Sequence, residues 1–426
     1  MTETLQILYG DTAVGTLAYD RRKDSITLAY DETWRFSHDA FPVSLSLPLA
    51  RGVHADDAIR PFLQGLLPDN PAVLDAWGKR FQVSPRNPFD LIKHVGEDCA
   101  GALQFVRPER LERILSGELD SLVPLDEEDL ERRMAALQSQ ARAVPVEIEG
   151  RFSLAGAQTK DALHQKDGRW FVPGGRIPST HILKPEIDEF EHHALNEHFC
   201  LQLAATAGLI RSGSEVLEIG GRRVLCVKRY DRTVDSDGTI IRWHQEDTCQ
   251  ATGRYPNEKY QTEGGASAAE IARLLKQSSD DPQDDASRFI MALALNWAIA
   301  GTDAHSKNYS LLHAPGSFVR LAPLYDLASW LPYERDPNST KVKLAMKIGG
   351  TYRLHEIDGK RWRKWAEEAG QDPLWVMACV ETLVGNVIES VEKVRDDIAK
   401  SLDIPFLHEL ARRIAERTKV CATLLG

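Results

Sequence analysis

Gly301-Thr302-Asp303-Ala304-His305-Ser306-Lys307-Asn308 crowds an acid, a base and an amide directly behind a nearly unbroken apolar run, Phe289 to Ala300. Asn296 is the one polar residue in that run, so its spacing predicts a buried helix that stops where the polar octet begins. A β-like run, Tyr309-Ser310-Leu311-Leu312, follows, then a turn at Pro315-Gly316. A second apolar run, Phe318 to Leu324, leads into Tyr325-Asp326. A hairpin brings its two ends together, and with them Asp303, Asn308 and Asp326.

Two acids and an amide so placed suit phosphoryl transfer. One Asp orients an attacking hydroxyl and accepts its proton, while an Asn and a second Asp hold Mg2+ against nucleotide phosphates. One Asp in a loop would more often be a turn or cap residue; the ordered set favours chemistry. A hydrolase with Asp303 and His305 as metal ligands lacks the further His and acids it would need.

The chain has 426 residues, enough for two or three domains. It is 42% hydrophobic and 27% charged, ordinary values for a globular protein. No apolar run reaches the length of a membrane span, and Met1-Thr2-Glu3-Thr4 lacks the features of a signal peptide. The expectation is a cytoplasmic protein with no membrane partner. Six scattered cysteines with no C-x-x-C pair read as buried thiols. A net charge of −11 makes the chain a poor nonspecific binder of nucleic acid, so DNA contact calls for a local basic patch or a basic partner.

In chain order, residues 5–50 read as a β-meander, with a solvated turn at Arg21-Arg22-Lys23. Residues 58–135 read as helical, broken at Pro68 to Pro71 and at Pro85 to Pro88. The small-residue stretch Gly96 to Ala102 reads as tight packing, and Ala141 to Gly150 as a linker. Beyond it, Ser153-Leu154-Ala155-Gly156-Ala157-Gln158-Thr159-Lys160 is small enough to let backbone N–H groups approach phosphate oxygens, although a plain β-turn is as good a reading. Thr180-His181-Ile182-Leu183-Lys184 is strand-like and ends in a Lys placed as a kinase places its α/β-phosphate partner. An exposed edge-strand Lys is the competing reading. Glu197 falls in a helical stretch, where a solvated face is the better reading. Gly220-Gly221 marks a hairpin, after which Lys228-Arg229-Tyr230 leaves the strand. His244 has no partner at ligand spacing. From Ala266 onward the chain reads as mostly helical.

Taken together these motifs resemble the HipA toxin kinases. The order Ser153 to Lys160, Thr180 to Lys184, Gln245-Glu-Asp-Thr-Cys-Gln250, Thr302 to Asn308, Leu324-Tyr325-Asp326 is that family's. Phe62 to Pro68, Pro88-Phe89 and Asp98 to Ala102 agree as well, so the resemblance spans essentially the whole chain. It implies an α+β, kinase-like bilobal fold, distantly like phosphoinositide kinases. An N-terminal subdomain, a β-meander followed by helices, would occupy 1–148 and a kinase domain 149–426. That domain would divide into an ATP-binding lobe, 149–243, and an all-helical C-terminal lobe, 244–426.

The resemblance further implies Asp303 as catalytic base, Asn308 and Asp326 as Mg2+ ligands, and Ala155, Gly156, Ala157, Gln158, Thr159, Lys160 and Lys184 around the ATP phosphates. Lys228, Arg229 and Tyr230 would meet adenine through the backbone, since Lys228 stands where family members often carry Glu. His305, Lys307 and Tyr325 complete the expected nucleotide set, and Ser153 occupies the autophosphorylated position. The implied partners are a HipB-like helix-turn-helix antitoxin, operator DNA reached mainly through it, and an aminoacyl-tRNA synthetase substrate, the glutamyl enzyme above all. The alternative is a catalytically weak corepressor that scaffolds the antitoxin on DNA.

Overall fold

The computed structural model describes residues 2–141, 152–156, 158–336 and 339–426. The expected linker beyond Ala141, the expected 148/149 boundary and Ala157 lie outside the described residues. The chain forms two compact units. The first holds residues 1–185, 217–257 and 311–319; the second holds 186–216, 258–310 and 320–426.

In the first unit, β1 (Thr2–Tyr9), β2 (Thr12–Asp20) and β3 (Ser25–Tyr30) form the expected meander. Leu5 faces Leu17 and Leu17 faces Leu28, all fully buried, as alternation with period two requires. The short α1 (Glu32–Arg35) and β4 (Val53–His54) follow. Next come α2 (Asp56–Gly65), α3 (Pro71–Phe81) and α4 (Pro88–Val95). The proline breaks are helix starts: Asn70 and Asn87 cap the backbone N–H groups, and Pro71 and Pro88 sit where no N–H is needed. Arg21 is an ion-pair partner of Glu3 and Asp90, and Arg22 and Lys23 are exposed.

Strands within the stretch read as helical are β5 (Asp98–Cys99), β6 (Leu103–Val106) and, after α5 (Pro108–Leu115), β7 (Ser121–Leu125). All four residues of β6 are buried, so no alternation betrays it. It pairs with β1 and completes a sheet ordered β4-β3-β2-β1-β6. β7 carries Pro124 and lies at a sheet edge, where a strand proline is tolerated. α6 (Glu127–Ala141) then packs Leu130, Met134 and Leu137 onto the second sheet.

That sheet contains β9 (Asp161–Lys166), β10 (Arg169–Gly174) and β11 (His181–Pro185), preceded by the two-residue β8 (Phe152–Ser153). After α7 (His193–Thr206) of the other unit come β12 (Ser214–Ile219) and β13 (Arg222–Lys228). The order is β12-β13-β11-β9-β10-β7. Gly220 and Gly221 both have positive φ, +58° and +70°, the geometry a two-residue hairpin turn of this hand requires. β14 (Arg232–Val234), β15 (Ile240–Arg242), β16 (His244–Asp247) and α8 (Thr248–Ala251) close the unit.

The small-residue stretch around Gly96 is tightly packed: a Cβ there would lie 2.7 Å from the Ile92 carbonyl. It also carries charge into the core. Asp98 accepts from Ser179 Oγ (2.6 Å), Arg232 (3.1 Å) and Arg242 (3.1 Å), while Asp231 accepts from Arg229 (2.7 Å) and the Gly101 N–H (2.8 Å). Burial alone would raise the Asp98 carboxyl; the charges of Arg242, Arg229 and Arg232 outweigh it and hold the group well below the usual range.

The second unit is mostly helical as expected. α9 (Ala268–Ser278) and α10 (Pro282–Ile299) precede the hairpin β17 (Ser310–Ala314) and β18 (Phe318–Leu321), whose residues 311–319 belong to the first unit. A second hairpin, β19 (Lys343–Ile348) with β20 (Thr351–Arg353), leads to α11 (Gly359–Ala369), α12 (Pro373–Ala399) and α13 (Pro405–Leu425). The region 244–426 is therefore not all-helical: β16, β17 and β18 form a three-stranded sheet, and β19 pairs with β20. α12 is long and apolar enough to cross a membrane by length and composition, contrary to the sequence expectation. It packs instead against α7, α10, α11 and α13, which accounts for Val380, Leu383, Val387 and Val391 being buried.

Two outcomes follow. Asp98→Ala leaves three buried guanidinium groups short of one counter-charge and should cost about 3–5 kcal/mol of stability. A thermal melt with the wild-type midpoint would contradict this role. His244, His198 and His181 are held neutral by burial, with values lowered to about 3, about 4 and about 4 from the ordinary 6.5. Each takes up a proton on unfolding below its ordinary value but not in the folded state. Stability should therefore rise with pH between about 4 and 7, with about three protons taken up on unfolding near pH 5. Calorimetry in buffers of different ionisation enthalpy reads that number.

Candidate active site

α10 ends sharply because Ala300 adopts a left-handed conformation, φ +54°. Gly301 then folds back so closely that a Cβ would lie 2.1 Å from Asn296 Oδ1. Its N–H donates to the Asn296 carbonyl at 2.7 Å. The Asn296 amide donates to the Ala292 carbonyl (3.0 Å) and to Tyr309 Oη (3.1 Å). The lone polar residue of the apolar run thus anchors the start of the following strand.

The loop projects the Asp303 side chain into solvent, 70% exposed. The Asp303 carbonyl accepts from the His305 N–H (2.7 Å) and from the Asn308 amide (2.8 Å). Asn308 is thereby turned toward Asp303, as the hairpin argument required. His305 is buried, with Nε2 4.0 Å from the Asp303 carboxylate. Lys307 is buried too.

At the far end of the hairpin, Tyr325 Oη donates to the Lys307 carbonyl (2.7 Å) and shares a 2.5 Å hydrogen bond with Ser310. Asp326, the next residue, has φ +51°, a strained backbone that Asp tolerates better than most residues. The chain beyond it returns to the end of α10. Ser329 Oγ donates to the Ile299 carbonyl (2.6 Å) and the Trp330 N–H to the Ala300 carbonyl (3.1 Å). Asn196 of α7 exchanges two bonds with the Ser329 backbone, 2.7 and 2.9 Å. The segments bearing Asp303, Asn308 and Asp326 are thus tied to one helix terminus within the second unit.

The other expected residues lie in the first unit. Ser153 is fully buried, pairs with Cys99 across β8 and β5, and donates its hydroxyl to the Leu66 carbonyl at 2.7 Å. Gly156, φ +114°, bridges to Pro68, and its carbonyl accepts from the Asp69 N–H at 3.0 Å. Lys160 Nζ curls back to the Ala155 carbonyl (2.6 Å), and the Gln158 amide donates to the Pro185 carbonyl (2.9 Å). Thr159 is buried.

Lys184 is no exposed edge residue. It stands on β11, between β13 and β9 in the sheet order, opposite Leu225 and only 4% exposed. Lys228 ends β13 opposite His181 and is exposed. Arg229 donates its N–H to the Thr180 carbonyl and commits its guanidinium to the buried ion cluster. Tyr230 Oη is hydrogen-bonded to the Gln245 side chain. Glu197 is buried in α7, not on a solvated face.

Among the described residues no group of three or more His, Cys, Asp or Glu forms a metal site. The Asp326 carboxylate and the Asn308 carbonyl oxygen are hard oxygen donors, few in number. That donor set fits Mg2+, which draws its remaining ligands from phosphate and water.

One neighbour of the Asp303 loop was not legible from the motifs. Tyr260 Oη donates to the Asp303 carboxylate, and its ring meets His305 edge-on at 5.0 Å. The Lys259 carbonyl accepts from Ser306 Oγ (2.8 Å) and from the Ser306 N–H (3.2 Å). Its signal was faint: Gly264-Gly265, where a Cβ on Gly265 would fall 2.4 Å from the Glu258 carbonyl, marks a loop that doubles back on itself.

Residues 152–396 match the HipA-like C-terminal domain, and residues 5–106 match the HipA N-terminal domain. The chain is 37% identical over 420 residues to the putative kinase Y4mE of Sinorhizobium fredii, a match spanning 98% of each. It is 31% identical over 373 residues to the serine/threonine-protein kinase toxin HipA of Shewanella oneidensis, covering 84% of this chain and 81% of that one. The Shewanella oneidensis HipA structure solved with HipB and operator DNA has the same fold, with a TM-score of 0.83 at 25% identity over 99% of this chain and 98% of that one. With both halves of the family architecture matched in sequence and the fold matched along its length, the chain belongs to the HipA family of kinases.

Proposed function

We propose that the protein is an ATP- and Mg2+-dependent serine/threonine protein kinase that arrests growth as the toxin of a toxin–antitoxin module. The observation that carries this reading is the grouping of Asp303, Asn308 and the Tyr325-Asp326 pair at the end of α10. In this reading residues 1–148 form the N-terminal subdomain and 149–426 the kinase domain. Asp303 orients the acceptor hydroxyl and takes its proton as the oxygen attacks the γ-phosphorus and ADP departs. Asn308 and Asp326 hold Mg2+, which neutralises charge on the phosphates when bound. Lys184 and the N–H groups of residues 155–160 receive the phosphate tail, with His305 and Lys307 adding positive or donor character. Lys228 to Tyr230 offer backbone groups to adenine; the side chain of Arg229 takes no part, being held in the ion cluster.

The protein substrate we assign is an aminoacyl-tRNA synthetase, of the glutamyl type, on the strength of the family. A HipB-like antitoxin is the proposed partner. It would supply operator contact to a chain whose net charge is −11. The Shewanella oneidensis HipA complex with HipB and operator DNA supports that arrangement.

Asp303 is exposed and holds up no core, so Asp303→Ala should abolish phosphate transfer, by roughly a thousandfold or more, without lowering the melting temperature. Transfer from radiolabelled ATP to purified glutamyl-tRNA synthetase measures it, and a near-wild-type rate would sink the kinase assignment.

Ser153 offers a second test. Its hydroxyl is buried against the Leu66 carbonyl, so phosphorylation requires β8 to leave β5 and Gly156 to leave Pro68. A phosphate adds a charge of roughly −1.5 to −2 that cannot return to that buried position. The phosphorylated loop would stay out and the enzyme would silence itself. Mass spectrometry after incubation with ATP and Mg2+ should find phosphate on Ser153 of the wild type and none on the Asp303→Ala variant. A fully active Ser153→Asp protein would refute self-silencing.

A further inference from the structure

We propose that Tyr260 is a positioning residue for phosphoryl transfer. It fixes the Asp303 carboxylate so that one oxygen is held by the phenol and the other faces the acceptor hydroxyl. This rests on the assignment of Asp303 as base and goes beyond it by naming the group that orients it.

The loop around Tyr260 is built to hold that phenol still. Ser306 grips the Lys259 carbonyl with both its N–H and its hydroxyl, which fastens the residue before Tyr260 to the catalytic loop itself. The Tyr260 carbonyl accepts from the N–H groups of Glu263 (2.8 Å) and Gly265 (2.9 Å), closing a tight turn. That turn admits no side chain at Gly265. Beyond it, Gln261 Oε1 accepts from the Lys347 N–H at 2.8 Å, tying the loop to β19. The Tyr260 ring packs edge-on against buried His305 on one side and carries Lys259 Nζ 5.6 Å from its centroid on the other. With backbone and ring constrained, the phenol has a fixed place from which it donates to Asp303 Oδ1.

The Asp303 side chain needs such a partner. It is 70% exposed, and its backbone carbonyl, not its carboxylate, receives the Asn308 amide and the His305 N–H. An exposed carboxylate samples several rotamers, and only those aimed at the acceptor are productive. A hydrogen bond to Oδ1 selects one orientation and leaves Oδ2 to take the acceptor proton.

Tyr260→Phe removes the phenol while keeping the ring that packs on His305. Steady-state phosphorylation of glutamyl-tRNA synthetase, or single-turnover phosphorylation of Ser153 if that substrate is refused, should show kcat or the single-turnover rate lowered roughly ten- to hundredfold. KM for ATP should be unchanged, a split between kcat and KM that a merely structural role would not give. The melting temperature should stay within about two degrees, because the residue is half-buried at a surface loop. Ser306→Ala, which removes one of the two bonds to Lys259, should show a smaller loss of the same kind. A wild-type kcat in Tyr260→Phe would overturn the proposal. So would a loss of rate that merely follows a fall in melting temperature, or one carried by a raised KM for ATP. An Asp303→Ala protein that still transfers phosphate would instead overturn the assignment of the base.

Discussion

Carbonyl groups at the C-terminus of α10 must find donors once Ala300 turns left-handed and leaves the helix. They find them in Gly301, Ser329 and Trp330. Gly301 belongs to the chain that leads to Asp303, and Ser329 and Trp330 belong to the chain that leaves Asp326. A requirement of backbone hydrogen bonding therefore gathers two separate polar segments at one point. Asn296 and Asn196, both buried, finish the arrangement by bonding Tyr309 and the Ser329 backbone. Losing either amide would strand buried polar groups and let the chemistry-bearing segments drift apart.

In the first unit the comparable fixed point is a two-residue strand. Asp98 and Cys99 pair with Phe152 and Ser153 on one side. On the other, the Cys99 carbonyl accepts from Arg229 (2.8 Å) and the Asp98 carboxylate from Arg232 and Arg242. One short segment thus sets both where the small-residue loop begins and where the chain leaving β13 goes. The buried charges contribute specificity more than net stability, because their mutual attraction mostly offsets the cost of removing them from water.

The strand that follows β15 shows the same logic in milder form. Glu246 is fully buried, accepts from the Leu45 N–H (2.8 Å) and from His313 (2.9 Å), and sits one residue before a capping box formed by Asp247 and Gln250. The Gln250 amide reaches the Phe62 carbonyl at 3.0 Å. The motif Gln245 to Gln250 is thus a polar joint inside the first unit, and His244 beside it is stacked on Phe41 with Nε2 at the Val43 carbonyl.

Local pattern alone determined the meander, the capped helices at Asn70 and Asn87, the Gly220-Gly221 hairpin, and the helix–loop–hairpin that carries Asp303, Asn308 and Asp326. These depend on periodicity, turn residues and caps, all interactions between near neighbours in sequence. The order of the motifs also determined the family. Tertiary structure decided what depends on partners far away along the chain. β6 is buried on both faces and shows no alternation, and β7 is recruited to a sheet edge despite Pro124. Lys184 is buried because its strand lies inside the sheet, and the Arg229 side chain is drawn into the buried ion cluster by Asp231 and Ser179. Tyr260 reaches Asp303 across 43 residues of sequence. A polar side chain reads the same in sequence whether it faces water, a buried counter-charge or an exposed carboxylate; the partner that the fold delivers makes the difference.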